Sequence, residues 1–539
     1  MKRWPVYVLA VVLILTFATG ISLAATLGDV NEDGTIDSMD CTALIMSVLG
    51  TEDVSKDVAD VNGDGALDSS DVSLIVEYIL GGIDEFPSEE EEEPDPPSEA
   101  LEISIDGDNT YQEIEGFGGS VAYYGNWLTD HPNNDEIYDV IYEDLGIDIL
   151  RLNNWSHDSR YGYQVDQWTE EEEWDDEFDP VAEELVAEGK ERTDDELKVM
   201  MTAWTPHPDL KSNDSPVGGT LKEENGGYVY DEYADYWLES LDKYEEIGVE
   251  LDYLSIQNEP DFETSYESCL LDPVEGENAS YIEAHEAVYD TLNNNLDEDE
   301  MPKMIGPDVT GIGYDRVQEY VDELDQDKLD GISFHLYHGG DNDEDPHPPS
   351  FSDNLNALVD QYPDQKKYQT EFYRGDAFNT AWTMHTNLTE GNVSAYLYWD
   401  LIWESDGLIT LDDPSIEEDQ RESQWDYEDG YHRTDSYYSF KHFAAYIEPG
   451  SQRVEAEAEG SDIEASAYIS PDEEKMTVVL LNTGQYDEVI YLNPDSFNIT
   501  GSEVYRTDWE NEKAEDVGNL GDGYSVEIPS ESLVTIVVE

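Results

Sequence analysis

Residues 253–260 read YLSIQNEP: an apolar run, Tyr253–Ile256, that ends in Gln257, Asn258, Glu259 and Pro260. A short buried strand closing on polar, acid-bearing residues is what a parallel barrel needs, because its chemistry sits at the C-terminal ends of its strands. A second stretch of the same build, YQTE at Tyr368–Glu371, places Glu371 112 positions after Glu259. That interval holds three βα units of about 37 residues each. Further short apolar runs lie on either side: Phe117 within GFGGS, Ile149–Leu152, Val199–Ala203, Met304–Ile305, Ile332–Phe334 and Ala395–Trp399. Longer amphipathic stretches, such as Tyr233–Ile247 and Tyr281–Leu296, separate them. With the two quoted runs this makes eight strands, and the pattern predicts an α/β fold, a (β/α)8 TIM barrel over residues 114–447.

Beyond the barrel the period changes. MTVVLLN (Met476–Asn482) and SLVTIVVE (Ser532–Glu539) are strand-like with no helical stretch between them, and Leu101–Ile105 alternates as well. Residues 101–113 and 448–539 are therefore expected to form an attached β-sandwich. Upstream, five consecutive glutamates (Glu89–Glu93) followed by Pro94-Asp95-Pro96-Pro97 predict a solvated, extended linker over 87–100.

The N-terminal part contains a repeat. DVNEDGTIDSMD (29–40) and DVNGDGALDSSD (60–71) are offset by 31 residues. Each puts oxygen side chains at loop positions 1, 3, 5, 9 and 12 with glycine at 6: Asp29, Asn31, Asp33, Asp37 and Asp40, then Asp60, Asn62, Asp64, Asp68 and Asp71. A hard cation that takes six to eight oxygens is satisfied in this way, so two structural Ca2+ ions are expected in a small α-helical module over 26–86, and no cofactor for catalysis. Helices are predicted at Cys41–Leu49 and Val72–Leu80. Ahead of the module, Met1-Lys2-Arg3, an apolar stretch from Val6 to Phe17 and Ser22-Leu23-Ala24 read as a secretory signal peptide over 1–24. That apolar stretch is too short for a membrane span. Cys41 and Cys269 fall in different modules and are expected to be unpaired thiols.

The chain has 131 Asp+Glu against 24 Lys+Arg, a net charge of −107 over 539 residues. Binding to a nucleic-acid backbone is excluded by repulsion. Disorder is excluded by the 38% hydrophobic and 11% aromatic content. Acid spread over the whole chain is destabilising in dilute buffer and screened in concentrated salt, which predicts a halophilic protein.

Polar and aromatic residues gather at the predicted strand ends: Arg151, Trp204, Asn258, Glu259, His335, Tyr337, Glu371 and Trp399. Strands four and seven face each other across a barrel mouth. Two carboxyls about 5–5.5 Å apart suit a retaining glycosidase, one protonating the leaving oxygen and the other attacking the anomeric carbon. Tryptophans at the rim suit the apolar faces of sugar rings. Read on pattern alone, the same residues also allow a non-catalytic polysaccharide-binding scaffold protein on a degenerate barrel.

The words IEGFGGS, SIQNEPDFETSYESC, ISFHLY, YQTEFY and SAYLYWDLI, in this order and spacing, resemble glycoside hydrolase family 30, a clan A (β/α)8 family with a β-sandwich. The likeness spans about residues 101–539 and is nearest the xylanase branch. The resemblance implies Glu259 as acid/base and Glu371 as nucleophile. It also implies that Asn258 holds a sugar 2-hydroxyl while Arg151, Trp204, His335, Tyr337 and Trp399 line the substrate subsite. Glucuronoxylan-specific members carry an arginine after the strand-eight tryptophan; here WDLIWESDG puts Trp403 and Glu404 about there. The acidic repeat, with Asp rather than Glu at position 12, resembles a type I dockerin. This implies a cohesin-bearing partner, read through Ser38-Met39 and Ser69-Ser70. The expectation is a secreted retaining endo-β-glycosidase on plant polysaccharide, foremost β-1,4-xylan. A β-1,6- or β-1,3-glucanase of the same family is the alternative.

Overall fold

The computed structural model describes residues 27–31, 33–48, 54–61, 67, 69–80, 86, 100–123, 125–154, 179–337, 348–373, 376–403, 407–411, 430–458, 462–495, 497–509 and 511–539. The expected signal peptide, almost all of the expected linker, Asn62, Asp64, Asp68 and Glu404 lie outside these. The chain divides into two compact units, Met1–Asp95 and Pro96–Glu539.

The smaller unit contains the helices Ser38–Val48 and Ser69–Leu80, with a short one at Lys56–Ala59. Val30, Leu44, Ala59, Val61 and Ile75 form its core. Phe86 packs against this core and stacks on Tyr78 at 4.8 Å between ring centroids. Gly28 has a positive φ of 88°, and a Cβ there would meet the Phe86 ring, so glycine suits this position on both counts.

In the larger unit eight parallel strands close into a barrel. In chain order they are Gly116–Val121, Ile149–Asn153, Lys198–Thr202, Tyr253–Ser255, Lys303–Val309, Gly331–His335, Lys366–Glu371 and Val393–Tyr398. All eight predicted runs are strands. Almost every residue in them is buried, as strands covered on both faces must be. Ile149, Met200, Tyr253, Ile305, Tyr368, Ala395 and Leu397 make one interior cluster. Gly118 can carry no side chain: a Cβ would lie 1.8 Å from the Ile149 carbonyl oxygen of the neighbouring strand. Outside, Tyr230–Glu246 and Tyr281–Asn295 are among the covering helices.

The N-terminal end of the barrel is plugged by Glu115, which is 5% exposed. It accepts hydrogen bonds from Lys366, Tyr253 Oη and, at 3.2 Å, Lys303 Nζ. Burial works to raise its pKa, but these partners overcome that and hold it at about 2. With chemistry confined to the opposite end, this cluster is a structural closure.

The expected sandwich strands are present and hydrogen-bond in one nine-stranded order. Leu101–Glu113 pairs antiparallel with Gln452–Glu457 and parallel with Glu488–Pro494, stitching the start of this unit to its end. Period-two alternation explains how the sheet packs. In Met476–Asn482, Val478 and Leu480 face the sheet's own core, whereas Val479 and Leu481 join the barrel core. The last barrel helix, Asp435–Ala444, meets this second face, and His442 joins it by both ring nitrogens, to Thr535 Oγ1 and Thr507 Oγ1, each at 2.8 Å.

Burial pushes the pKa of His442 down to about 3, and those of His285 and His385 to about 4. Each folded value lies below the ordinary histidine value, so the unfolded chain binds protons first as pH falls. This stability is whole above about pH 6.5 and drains as pH falls toward the folded values. His442→Gln should therefore lose ~2 kcal/mol less than the wild type between pH 7 and pH 5. Denaturant titrations in concentrated KCl at the two pH values measure this; parallel losses in both proteins would contradict it.

Among the described residues no helix is long and apolar enough to cross a membrane. Cys41 and Cys269 are both unpaired, each buried within its own unit.

Candidate active site

The C-terminal rim is organised by Arg151, the third residue of strand Ile149–Asn153 and fully buried. Its Nη1 donates to Glu371 Oε2 at 2.7 Å and to Ser120 Oγ at 3.4 Å; its Nη2 donates to Asn258 Oδ1 at 2.7 Å. Asp308 Oδ2 lies 3.8 Å from Nη2, and the guanidinium sits over the Trp204 ring at 4.7 Å. A buried guanidinium is tolerated only with such partners. One cation thus fixes the acid ending strand seven and the amide following strand four. With its carbonyl oxygen engaged, the other end of the Asn258 amide is a donor.

Glu259 stands three residues beyond Ile256 with φ 44°, in the left-handed region that a non-glycine residue rarely occupies. The position is held from both sides: Asn258 N donates to Ala203 O at 2.8 Å, and Glu259 N to Asp308 O at 3.0 Å. Such strain collects at functional positions. His335 bridges the two acids, with Nδ1 3.0 Å from Glu259 Oε1 and Nε2 3.9 Å from Glu371 Oε2. Glu259, His335 and Glu371 each bring one polar atom within 4.8 Å of the others. One oxygen of each carboxylate thus lies within 4.8 Å of an oxygen of the other.

Burial raises the Glu371 pKa above the ordinary glutamate value and the Glu259 charge adds to this, while His335 and Arg151 oppose it. Burial lowers the His335 pKa below the ordinary histidine value, leaving the imidazole neutral near pH 7. For Asp308 burial acts upward, but Arg151 and His335 outweigh it and keep the group low and ionised. Asp400, fully buried beside Trp399, is pushed far above the ordinary carboxylate range by burial. Burial and the Glu371 charge likewise keep Tyr337 a phenol.

Over these acids lies a cavity of about 310 Å3 lined by Glu259, Glu371, Thr310 and seven aromatics. Trp204, Tyr337 and Trp399 are the aromatics the sequence indicated; Tyr123, Phe262, Tyr266 and Trp403 complete the wall. Tyr123 meets Trp204, Trp399 and Trp403 edge-on, with centroids 6.1, 6.1 and 6.4 Å away. Asp308 and Tyr123 were not among the expected site residues. GPDV reads as a turn, and Tyr123 lies beyond a glycine-rich strand with no acid to mark it.

In the smaller unit the first acidic loop is folded around its own side chains. Asp29 accepts from Asp33 N and Gly34 N at 3.0 and 2.8 Å; Asp40 accepts from Asn31 N and Asp37 N at 3.0 and 2.8 Å. In the second loop Asp71, the counterpart of Asp40, accepts from the backbone in its turn, Val61 N donating to its Oδ1 at 3.0 Å. Asp60 Oδ1 is buried without a hydrogen-bond partner. An all-oxygen donor set with an orphaned carboxylate oxygen fits Ca2+. The two longer helices expose Met39, Ile45, Met46, Val76, Ile79 and Leu80.

Residues 27–80 match the dockerin type I domain, and residues 450–536 match the glycosyl hydrolase family 30 beta sandwich domain. A Caenorhabditis elegans protein named "Putative glucosylceramidase 1" is 22% identical over 432 residues, covering 72% of this chain and 77% of its own. Among solved structures, the glycoside hydrolase family 30 subfamily 8 xylanase Xyn30A from Clostridium acetobutylicum aligns with a TM-score of 0.60 and 21% identity, over 81% of this chain and 99% of that one. An endo-beta1,6-glucanase aligns with a TM-score of 0.60 and 16% identity, over 82% and 94%. At these identities the solved structures speak for the fold, and the two domain matches speak for the segments they cover. The chain carries a dockerin type I domain at residues 27–80, ahead of its barrel, and a glycosyl hydrolase family 30 beta sandwich domain at residues 450–536, after it.

Proposed function

We propose that this chain is a secreted, retaining endo-β-glycosidase that hydrolyses β-1,4-xylan by double displacement. One observation carries the reading: two buried carboxylates with an oxygen each inside 4.8 Å, one bound by Arg151 and the other by a neutral histidine. Glu259 donates its proton to the glycosidic oxygen as that bond breaks. Glu371, kept ionised by Arg151, attacks the anomeric carbon to give a glycosyl-enzyme ester. Glu259, now a carboxylate, takes a proton from water, which attacks the same carbon and expels Glu371, so the anomeric configuration is retained. With Nδ1–H of His335 donated to Glu259 Oε1, the transferable proton resides on Oε2. Asn258 donates to the sugar 2-hydroxyl, and Trp204, Tyr337 and Trp399 hold the ring faces.

Trp403 adds an aromatic wall 5.7 Å from Trp399, where an arginine for glucuronate would stand in glucuronoxylan-specific relatives. This supports a neutral backbone rather than dependence on acidic branches. The dockerin docks the enzyme to a cohesin-bearing protein outside the cell. Asp29, Asn31, Asp33, Asp37 and Asp40 would hold one Ca2+, and Asp60, Asn62, Asp64, Asp68 and Asp71 a second, each ion neutralising and stiffening its loop.

Two readouts in concentrated KCl test this. Arabinoxylan, glucuronoxylan and β-1,6-glucan are each digested and the products separated by chromatography. The first-formed anomer is read by proton NMR. Arabinoxylan should be cut internally to β-anomeric products without need of glucuronate; first-formed α-anomers, or release from β-1,6-glucan alone, would contradict the reading.

A further inference from the structure

We infer that Glu267 is a positioning residue that fixes the Tyr123 hydroxyl at the wall of the cavity and so sets the affinity for sugar; this rests on the cavity being the glycan site. Tyr123 lies two residues past the first barrel strand, is 5% exposed, and lines the cavity together with both catalytic candidates. Its Oη donates to Glu267 Oε2 at 3.2 Å. Glu267 comes from the segment after the fourth strand and is 1% exposed, and its Oε1 has no hydrogen-bond partner. Half-satisfied buried carboxyls are destabilising, and the fold could relieve this one only by letting it swing out.

The backbone on both sides of Glu267 prevents such a swing. Ser268 N donates to Pro216 O at 3.1 Å, Gly218 N to Ser268 Oγ at 3.0 Å, and Leu270 N to Gly219 O at 2.8 Å. Lys211 Nζ clamps the same junction through Ser268 O, Pro216 O at 3.0 Å and Thr205 Oγ1 at 2.9 Å. The segments after strands three and four are thereby zipped together, and Glu267 is aimed at Tyr123.

Charged and titratable groups face this carboxyl from each side: Lys211 from the segment after strand three, Tyr266 and Cys269 from its own segment, and Tyr123 with Glu371 from the cavity. Burial raises Glu267 to about 7, against the Tyr123 hydrogen bond and the Lys211 charge. Burial also keeps Tyr123 a phenol and Cys269 a thiol. An ionised Glu267 has no proton to give, so Tyr123 must donate to it and keeps its oxygen lone pairs for a sugar hydroxyl. A protonated Glu267 can donate instead and turn that bond around.

The full chain is assayed on soluble arabinoxylan in concentrated KCl from pH 5.5 to 8.5. Wild-type KM should be lowest above about pH 7 and rise below it. Glu267→Gln, whose amide can donate to Tyr123, should raise KM about fivefold at pH 8, the loss of one neutral hydrogen bond, with kcat within about twofold and KM no longer dependent on pH. Tyr123→Phe should do the same, and the double variant should be no worse than either single one. Equal KM and pH profiles in wild type and variants, or a fall in kcat with KM unmoved, would overturn the inference. Should Glu267→Gln fail to fold by near-UV circular dichroism, Tyr123→Phe decides alone, and an unmoved KM overturns it. A wild type that releases no sugar from any β-glycan removes the reading of the cavity itself, and this inference with it.

Discussion

Glu371→Gln is expected to lower kcat on xylan at least about ten-thousand-fold while leaving binding of xylo-oligosaccharides within about threefold, because losing a nucleophile removes a whole covalent route rather than one contact. The amide preserves shape and can still accept from Arg151 Nη1, which lies 2.7 Å from Oε2 in the wild type. It cannot carry the negative charge that attacks the anomeric carbon. Arg151 also keeps Asn258 and Asp308, so the buried guanidinium is not stranded and the barrel should fold. Binding is read by calorimetry and turnover by reducing-sugar release. Near wild-type turnover in a folded Glu371→Gln protein would remove Glu371 from the mechanism. Addition of azide to Glu371→Ala should restore cleavage of an activated aryl β-xyloside and give the α-glycosyl azide, since the small anion enters from the face the carboxylate left.

The second large effect is on stability. Moving the protein from about 3 M KCl to 0.1 M lengthens the Debye screening distance to about 10 Å, so acids that are neighbours on the surface feel one another. With a net charge of −107, the compact state carries that repulsion over its whole surface. Cations among the described residues are shared between several acids: Arg192 meets Asp135, Asp139 and Glu188 at 2.8, 2.7 and 2.5 Å. Such exposed acids contribute little when screened and oppose folding when not. The melting temperature is expected to fall by ~10 °C or more across this change, several kcal/mol for a domain of this size. A melting temperature that holds within about 2 °C would contradict the halophilic reading.

The barrel was legible because each strand is a short apolar run that stops at a polar residue, and burial on both faces leaves little else those runs can do. The placement of Glu259 and Glu371 at the C-terminal ends of two such runs was legible for the same reason. What local pattern does not encode is pairing over long separations. The match of Ser104 with Glu457 joins residues 353 positions apart and ties the first strand of the larger unit into the nine-stranded sheet of the sandwich. Asp308 was not legible, since its place beside Arg151 depends on a left-handed backbone turn, φ 53°, at the end of strand five. Glu267 was quoted within SYESC, yet nothing local says that it is buried or that it reaches Tyr123. Glu115 is hidden in the same way: three lysines converge on it, with Lys303 and Lys366 at its carboxylate and Lys198 at its carbonyl oxygen, from strands far apart in the chain.

The measurement closest to the central claim is to trap the covalent step. A 2-deoxy-2-fluoro-β-xyloside with a good leaving group slows the second displacement, so the glycosyl-enzyme accumulates and its site can be read by peptide mass spectrometry. The ester is expected on Glu371, at one sugar per chain, and its formation with this activated leaving group should persist in Glu259→Ala. A label on any other residue, or turnover of the normal substrate with no ester ever found, would contradict the account.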